Sequence, residues 1–140
     1  MGSETEHLIN EVRLLYQSLI QIGEQIHEGS NISMGMRAVL EYLEREGASS
    51  VPHMARARRV TRQRIQTLVN ALMDQGLAIA IDNPASKRSP LIDLTDRGAN
   101  TILDMRRRES RALKVPLGNA EIAAAAKTLA NFRAALEARR

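Results

Sequence analysis

Leu8, Val12, Leu15, Leu19, Ile22 and Ile26 alternate spacings of four and three along residues 4–28. That is a heptad seam, and it predicts one long amphipathic helix. Ile9, Tyr16 and Gly23 repeat every seven residues beside it and widen the stripe. The 25 residues of this segment would rise about 37 Å as a helix, long for a small domain. Part of the stripe is therefore expected to pack on another chain. The alternative is a helix buried within its own subunit.

Gly29-Ser30-Asn31 interrupts the pattern. Ser33 is placed to cap a second helix by accepting a backbone N–H, with Met36, Val39, Leu40 and Leu43 inward and an end near Gly47. Ser50 is placed to cap a short third helix, where Pro52 is tolerated in the first turn and Met54 and Ala55 face inward. Thr61 opens a fourth helix. Its Ile65, Leu68, Val69 and Leu72 share one face within roughly 100° of arc, while Gln63, Gln66, Thr67 and Asn70 lie opposite and Arg62 and Arg64 flank them. Gly76 suits the position just past a helix end. Residues 77–81 and 90–94 read as strands around the turn-rich stretch 82–89. Thr95 caps a fifth helix to about Leu113. After the break at residues 114–118, Asn119 caps a last helix carrying Ile122, Ala126, Leu129, Phe132 and Leu136. The expected fold is mainly α with a small β-hairpin: residues 33–95 form a winged helix-turn-helix region, and residues 4–30 with 96–140 form a helical dimerisation region.

Composition narrows what such a fold does. Hydrophobic residues make up 44% of the 140 and aromatics 2%, which supports a core of aliphatic side chains in helices. Residues 1–50 carry 8 acidic and 3 basic side chains, a net of −5; residues 51–140 carry 8 and 17, a net of +9, and the sum is the overall +4. A basic half beside an acidic half points to a polyanionic partner for one face. There is no cysteine, which excludes disulfides and thiolate metal sites. The three histidines, at 7, 27 and 53, show no i, i+4 pair, so no metal or other cofactor is expected. No apolar run reaches about 18 residues and the acidic N-terminus lacks a signal-peptide core, so no membrane partner and a cytoplasmic location are expected. Met1-Gly2-Ser3 reads equally as a native start or an appended tag. No nucleophile elbow or phosphate loop is present, and an enzyme is not expected. Glu41, Glu44 and Glu46 read as solvated helix surface.

Residues 51–73 contain no Asp or Glu. In a helix-turn-helix order that bias points to double-stranded DNA. Arg62, Gln63, Arg64, Gln66, Thr67 and Asn70 are placed to meet base edges in the major groove, where arginine pairs with guanine and glutamine with adenine. Thr61 and the helix N-terminus suit a phosphate. Arg56, Arg58 and Arg59 suit backbone phosphates, which set position without reading sequence. Lys87 and Arg88 at the hairpin tip suit the minor groove. The rival interpretation is a winged-helix dimer acting as a protein-interaction module.

Met54-Ala55, Val60-Thr61-Arg62-Gln63, Leu68-Val69, Leu72, Gly76-Leu77, the Arg88 wing and Leu94-Thr95-Asp96-Arg97-Gly98 together resemble the MarR family of bacterial transcriptional regulators. The likeness spans nearly the whole chain. It implies a dimer built from the first helix and the last two, here through Leu8, Val12, Leu15, Leu19, Leu129, Phe132 and Leu136, acting as a repressor on a pseudo-palindromic promoter site. It also implies release by a small anionic or aromatic effector bound between the dimer helices and the reading domain, with Tyr16, His27 and Arg37 as lining residues. The chain departs from the family in two places. Ser86-Lys87-Arg88 keeps the wing arginine but not the acid two residues before it, and Arg58-Arg59 replaces a leucine and a glycine in the turn. Arg59 is expected in a left-handed conformation, which is strained for a residue with a Cβ.

Overall fold

The computed structural model describes residues 2–139. Six helices and three short strands run in the order α1 (Ser3–Ile26), α2 (Met34–Glu46), β1 (Ser49–Ser50), α3 (Val51–Arg58), α4 (Arg62–Asp74), β2 (Ala78–Ile81), β3 (Leu91–Leu94), α5 (Asp96–Ala112) and α6 (Asn119–Glu137).

Local chemistry sets most boundaries. The Ser33, Ser50, Thr61 and Thr95 hydroxyls accept the N–H groups of Met36, His53, Arg64 and Gly98 and start α2, α3, α4 and α5. Each satisfies a donor that the first helical turn leaves open. Asn119 does not cap α6: the cap position is Gly118, no side chain fills it, and Asn119 is the first helical residue. Gly76 takes φ 73° just after α4. Leu77 N–H still donates to Leu72 O at 2.9 Å, so the strand begins one residue later than its apolar pattern implies.

The core is the anticipated set. Met36, Val39, Leu40, Leu43, Met54, Ala55, Ile65, Leu68, Val69 and Leu72 are buried, joined by Leu77, Ala78, Ile92 and Ile102. β2 and β3 pair antiparallel with Ala78 opposite Leu94 and Ala80 opposite Ile92. The sheet has a third strand that the sequence pattern did not reveal. Ser49-Ser50 pairs with β3 on its other side, giving the order β1-β3-β2. Two serines carry no strand signature; Ser49 is buried there, its hydroxyl donating to Gly47 O at 3.0 Å.

Thr95 and Gly98 lock the wing to α5. Thr95 N–H donates to Leu77 O at 3.2 Å, and its hydroxyl donates to Gly76 O at 2.6 Å. A Cβ on Gly98 would stand 1.9 Å from Leu77 O, so this approach of helix to backbone requires glycine.

α1 and α6 differ from the rest. Neither contains a buried residue within the chain. Val12, Leu15 and Leu19 on α1, and Ile122, Leu129 and Leu136 on α6, are exposed; Leu8 and Phe132 are half-buried. No helix among the described residues is long and apolar enough to cross a membrane.

Candidate nucleic-acid interface

α4 presents its polar face to solvent because Ile65, Leu68, Val69 and Leu72 occupy the other side. Arg62, Gln63 and Gln66 on that face, and Arg88 from the wing, border one cleft of about 340 Å³, whose walls include Val51, Pro52 and Pro90. Three reading candidates and the wing arginine are thus brought together. Neighbouring side chains are partly committed. Gln66 Nε2 donates to Asn70 Oδ1 at 2.8 Å, which steadies Gln66 from one turn away. The Thr67 hydroxyl donates to Gln63 O at 3.0 Å, leaving its methyl as the uncommitted group. Lys87, Thr67 and Asn70 lie outside the cleft lining. Arg56, Arg58 and Arg59 are exposed on α3 and the turn. Arg59 has φ 56° and ψ 43°, the left-handed conformation anticipated for it, and its Nη1 lies 3.9 Å from Glu137 Oε1 at the end of α6.

Arg64 points elsewhere. Its Nη2 lies 3.0 Å from where a Gly35 Cβ would stand on α2. It borders a second cavity of about 770 Å³, enclosed by the end of α1, the start of α2, α5 and α4. His27 and Arg37 line this cavity. Tyr16 does not: it is 63% exposed on α1, and eleven residues of helix set it about 16 Å before His27.

The cavity wall contains an ionic network that local sequence did not expose. Arg37 Nε donates to Glu109 Oε2 at 2.6 Å and Nη2 to Oε1 at 2.5 Å, a bidentate pair. Arg37 Nη1 also donates to Glu41. His27 Nε2 lies 2.7 Å from Glu109 Oε2, within hydrogen-bond distance, and His27 Nδ1, which is buried, has no partner among the described residues. Arg106 lies 3.6 Å from Glu41 and 2.8 Å from Glu44. Glu41 is therefore a half-buried member of this network, whereas Glu44, although paired with Arg106, and Glu46 are exposed as expected. The i, i+4 spacing of Arg37 and Glu41 was a visible signal. Glu109, 72 residues from Arg37, had none.

Burial alone would raise the Glu109 carboxyl pKa, but the hydrogen bonds from Arg37 and His27 outweigh it and hold the group below its ordinary 4.5. Glu41 is lowered likewise, burial opposing and Arg37 prevailing. The Arg37 guanidinium is raised, chiefly by Glu109. A carboxylate depressed on folding contributes stability above its unfolded pKa and loses it as pH falls through the folded value. Thermal melts of the protein should therefore fall as pH drops from about 5 to about 3. Glu109→Gln should cost about 2 kcal/mol at pH 7 and flatten that slope. A wild-type slope retained in the variant would remove Glu109 from the account.

A family model described as MarR family matches residues 37–89. An uncharacterised protein of Mycobacterium tuberculosis is 31% identical over 102 residues, 73% of this chain and 71% of that protein. The crystal structure of a MarR family transcription regulator superposes with a TM-score of 0.81 at 27% identity, covering 98% of this chain and 97% of that one. Streptococcus pneumoniae FabT, solved in complex with DNA, shares the fold at 19% identity, with a TM-score of 0.80 over 97% of this chain and 99% of its own. The caps, the winged sheet, the Thr95–Gly98 lock and these likenesses agree, and the chain belongs to the MarR family, whose members are transcription regulators and not enzymes.

Proposed function

We propose that the protein is a dimeric repressor that occupies a pseudo-palindromic promoter site and leaves it when a small molecule fills the α1–α2–α5 cavity. The observation that carries this reading is the shared cleft of Arg62, Gln63, Gln66 and Arg88. It sets groove-reading side chains beside a wing cation in a stretch where residues 51–73 contain no acid. FabT, of the same fold, was solved in complex with DNA. Residues 33–95 serve as the reading region. Residues 4–30 and 96–140 serve for dimerisation, a role supported by the exposed apolar faces of α1 and α6. In such a dimer the two copies of α4 meet half-sites about 34–36 Å apart.

A salt titration tests the reading. Binding to promoter DNA should be strong at about 50 mM salt and weaken steeply as counterion release loses its driving force. Gln63→Ala should relax base preference by about 1–3 kcal/mol at one position. Arg88→Ala should weaken binding to many sequences alike and lower the salt slope by about one. Identical behaviour of the two variants would refute the division between reader and anchor. No binding at low salt would refute the function itself and leave the protein-interaction reading in its place.

A further inference from the structure

Gln63 and Gln66 both border the wing cleft, but they are not equally free. Gln66 Nε2 donates to Asn70 Oδ1 at 2.8 Å. The Gln63 side chain makes no hydrogen bond among the described residues; only its backbone oxygen is engaged, by the Thr67 hydroxyl. A glutamine amide carries two N–H donors and one carbonyl acceptor. Gln63 therefore keeps both donors, whereas Gln66 keeps one donor and its Oε1. Asn70 sits one helical turn beyond Gln66 and outside the cleft lining. Both side chains are exposed, so their bond satisfies no buried group.

In the major groove guanine shows two acceptors, N7 and O6, whereas adenine shows the acceptor N7 and the donor N6. A glutamine with both N–H groups free can serve either purine. It gives two donors to guanine, or a donor and an acceptor to adenine. With one N–H held by Asn70, only the second pattern remains. Against guanine, Gln66 Oε1 would face O6, acceptor against acceptor, with no proton between them. The spacing suits this hold, since side chains at i and i+4 are neighbours on a helix surface. The bond also orders the Gln66 side chain before DNA arrives, which removes an ordering cost from binding.

We infer that Asn70 is a positioning residue and not a base reader: by holding one Nε2 hydrogen of Gln66, it makes Gln66 accept adenine and reject guanine. The inference rests on the proposed regulator function and deepens it by naming the base that one side chain selects. Gln63, uncommitted, tolerates either purine. The two glutamines of α4 thus differ in stringency although they share a residue type.

Selection of bound duplexes from a random pool tests this, with wild type, Gln66→Ala, Asn70→Ala and Asn70→Asp. The base pair whose preference Gln66→Ala abolishes is the one Gln66 reads. Wild type should prefer adenine over guanine there by about tenfold or more. Asn70→Ala should admit guanine, with the preference down to about threefold or less and other positions unchanged. Asn70→Asp keeps an acceptor for Nε2. It should keep the adenine preference while binding every sequence more weakly, because its charge opposes the phosphates. A helix merely weakened by loss of Asn70 would bind all sequences less well and would not exchange adenine for either purine. In the Gln66→Ala background, Asn70→Ala should change no base preference. The inference is overturned if Gln66→Ala relaxes no position, if the base Gln66 selects is not adenine, or if Asn70→Ala keeps the wild-type preference. It is also overturned if Asn70→Ala alters another position in the Gln66→Ala background, which would make Asn70 a reader. Wild type that binds no duplex at about 50 mM salt would refute the regulator function and this inference with it. Wild type that selects a sequence which Asn70→Ala selects equally would refute the inference alone.

Discussion

Gly98→Ala should cost about 3 kcal/mol or more and lower the melting temperature by about 10 °C or more. The new methyl would stand 1.9 Å from Leu77 O and 2.9 Å from Leu77 C. Both are backbone atoms, so no rotamer change relieves the clash. Relief requires α5 to move away from β2, and that movement breaks the bonds from Thr95 N–H to Leu77 O and from the Thr95 hydroxyl to Gly76 O. It also disturbs Ile102 and Met105, which enter the interior from α5. A loss of this size is a large share of the roughly 5–15 kcal/mol that holds a domain folded. Gly118→Ala is the control. It has φ −69° and nothing within 4 Å of its Cβ position, so its effect should stay within about 1 kcal/mol, the size of the N-cap preference for Gly over Ala. If Gly98→Ala melts with wild type, helix and wing are not in the contact described.

Leu15→Glu combined with Leu19→Glu should convert the protein to a folded monomer that no longer holds promoter DNA. Both leucines are exposed in the single chain, at 53% and 44%, and α1 buries nothing on its own. In a symmetric dimer each substitution acts twice. Four leucines at about 2 kcal/mol each give about 8 kcal/mol of lost association, before the added cost of placing glutamates in an apolar seam. Sedimentation should therefore show monomer at micromolar concentration. Far-UV dichroism should change little, because the core formed by α2, α3, α4, β2 and β3 does not include these residues. A dimer that survives the double substitution would rule out the α1 interface. A monomer that unfolds would mean that the winged region depends on α1 more than its exposure implies.

Much of this fold was legible in the chain because its cues are local. Helix faces follow from apolar residues three and four apart, and the four side-chain caps lie three residues from the N–H groups they accept. The left-handed conformation of Arg59 was legible only through the family resemblance, which puts a glycine in that turn where this chain has an arginine. Where cues were shared, the reading slipped by one residue. Asn119 is a good cap by type, but Gly118 holds the extended conformation before α6. β1 was invisible because Ser49 and Ser50 become a strand only by pairing with Leu91 and Ile92.

By itself, then, the sequence determined the six helices, the hairpin, the composition of the core and the acid-free polar face of α4. Only the tertiary structure decided which charged groups meet. Glu109 reaches Arg37 across 72 residues and His27 across 82, and no local periodicity encodes such distances. Nor could helix phase alone send Arg62 to the wing cleft and Arg64 to the α2 cavity. A helix face is set by the residues that must be buried, whereas the direction of a long flanking arginine is set by the neighbouring elements that leave it room.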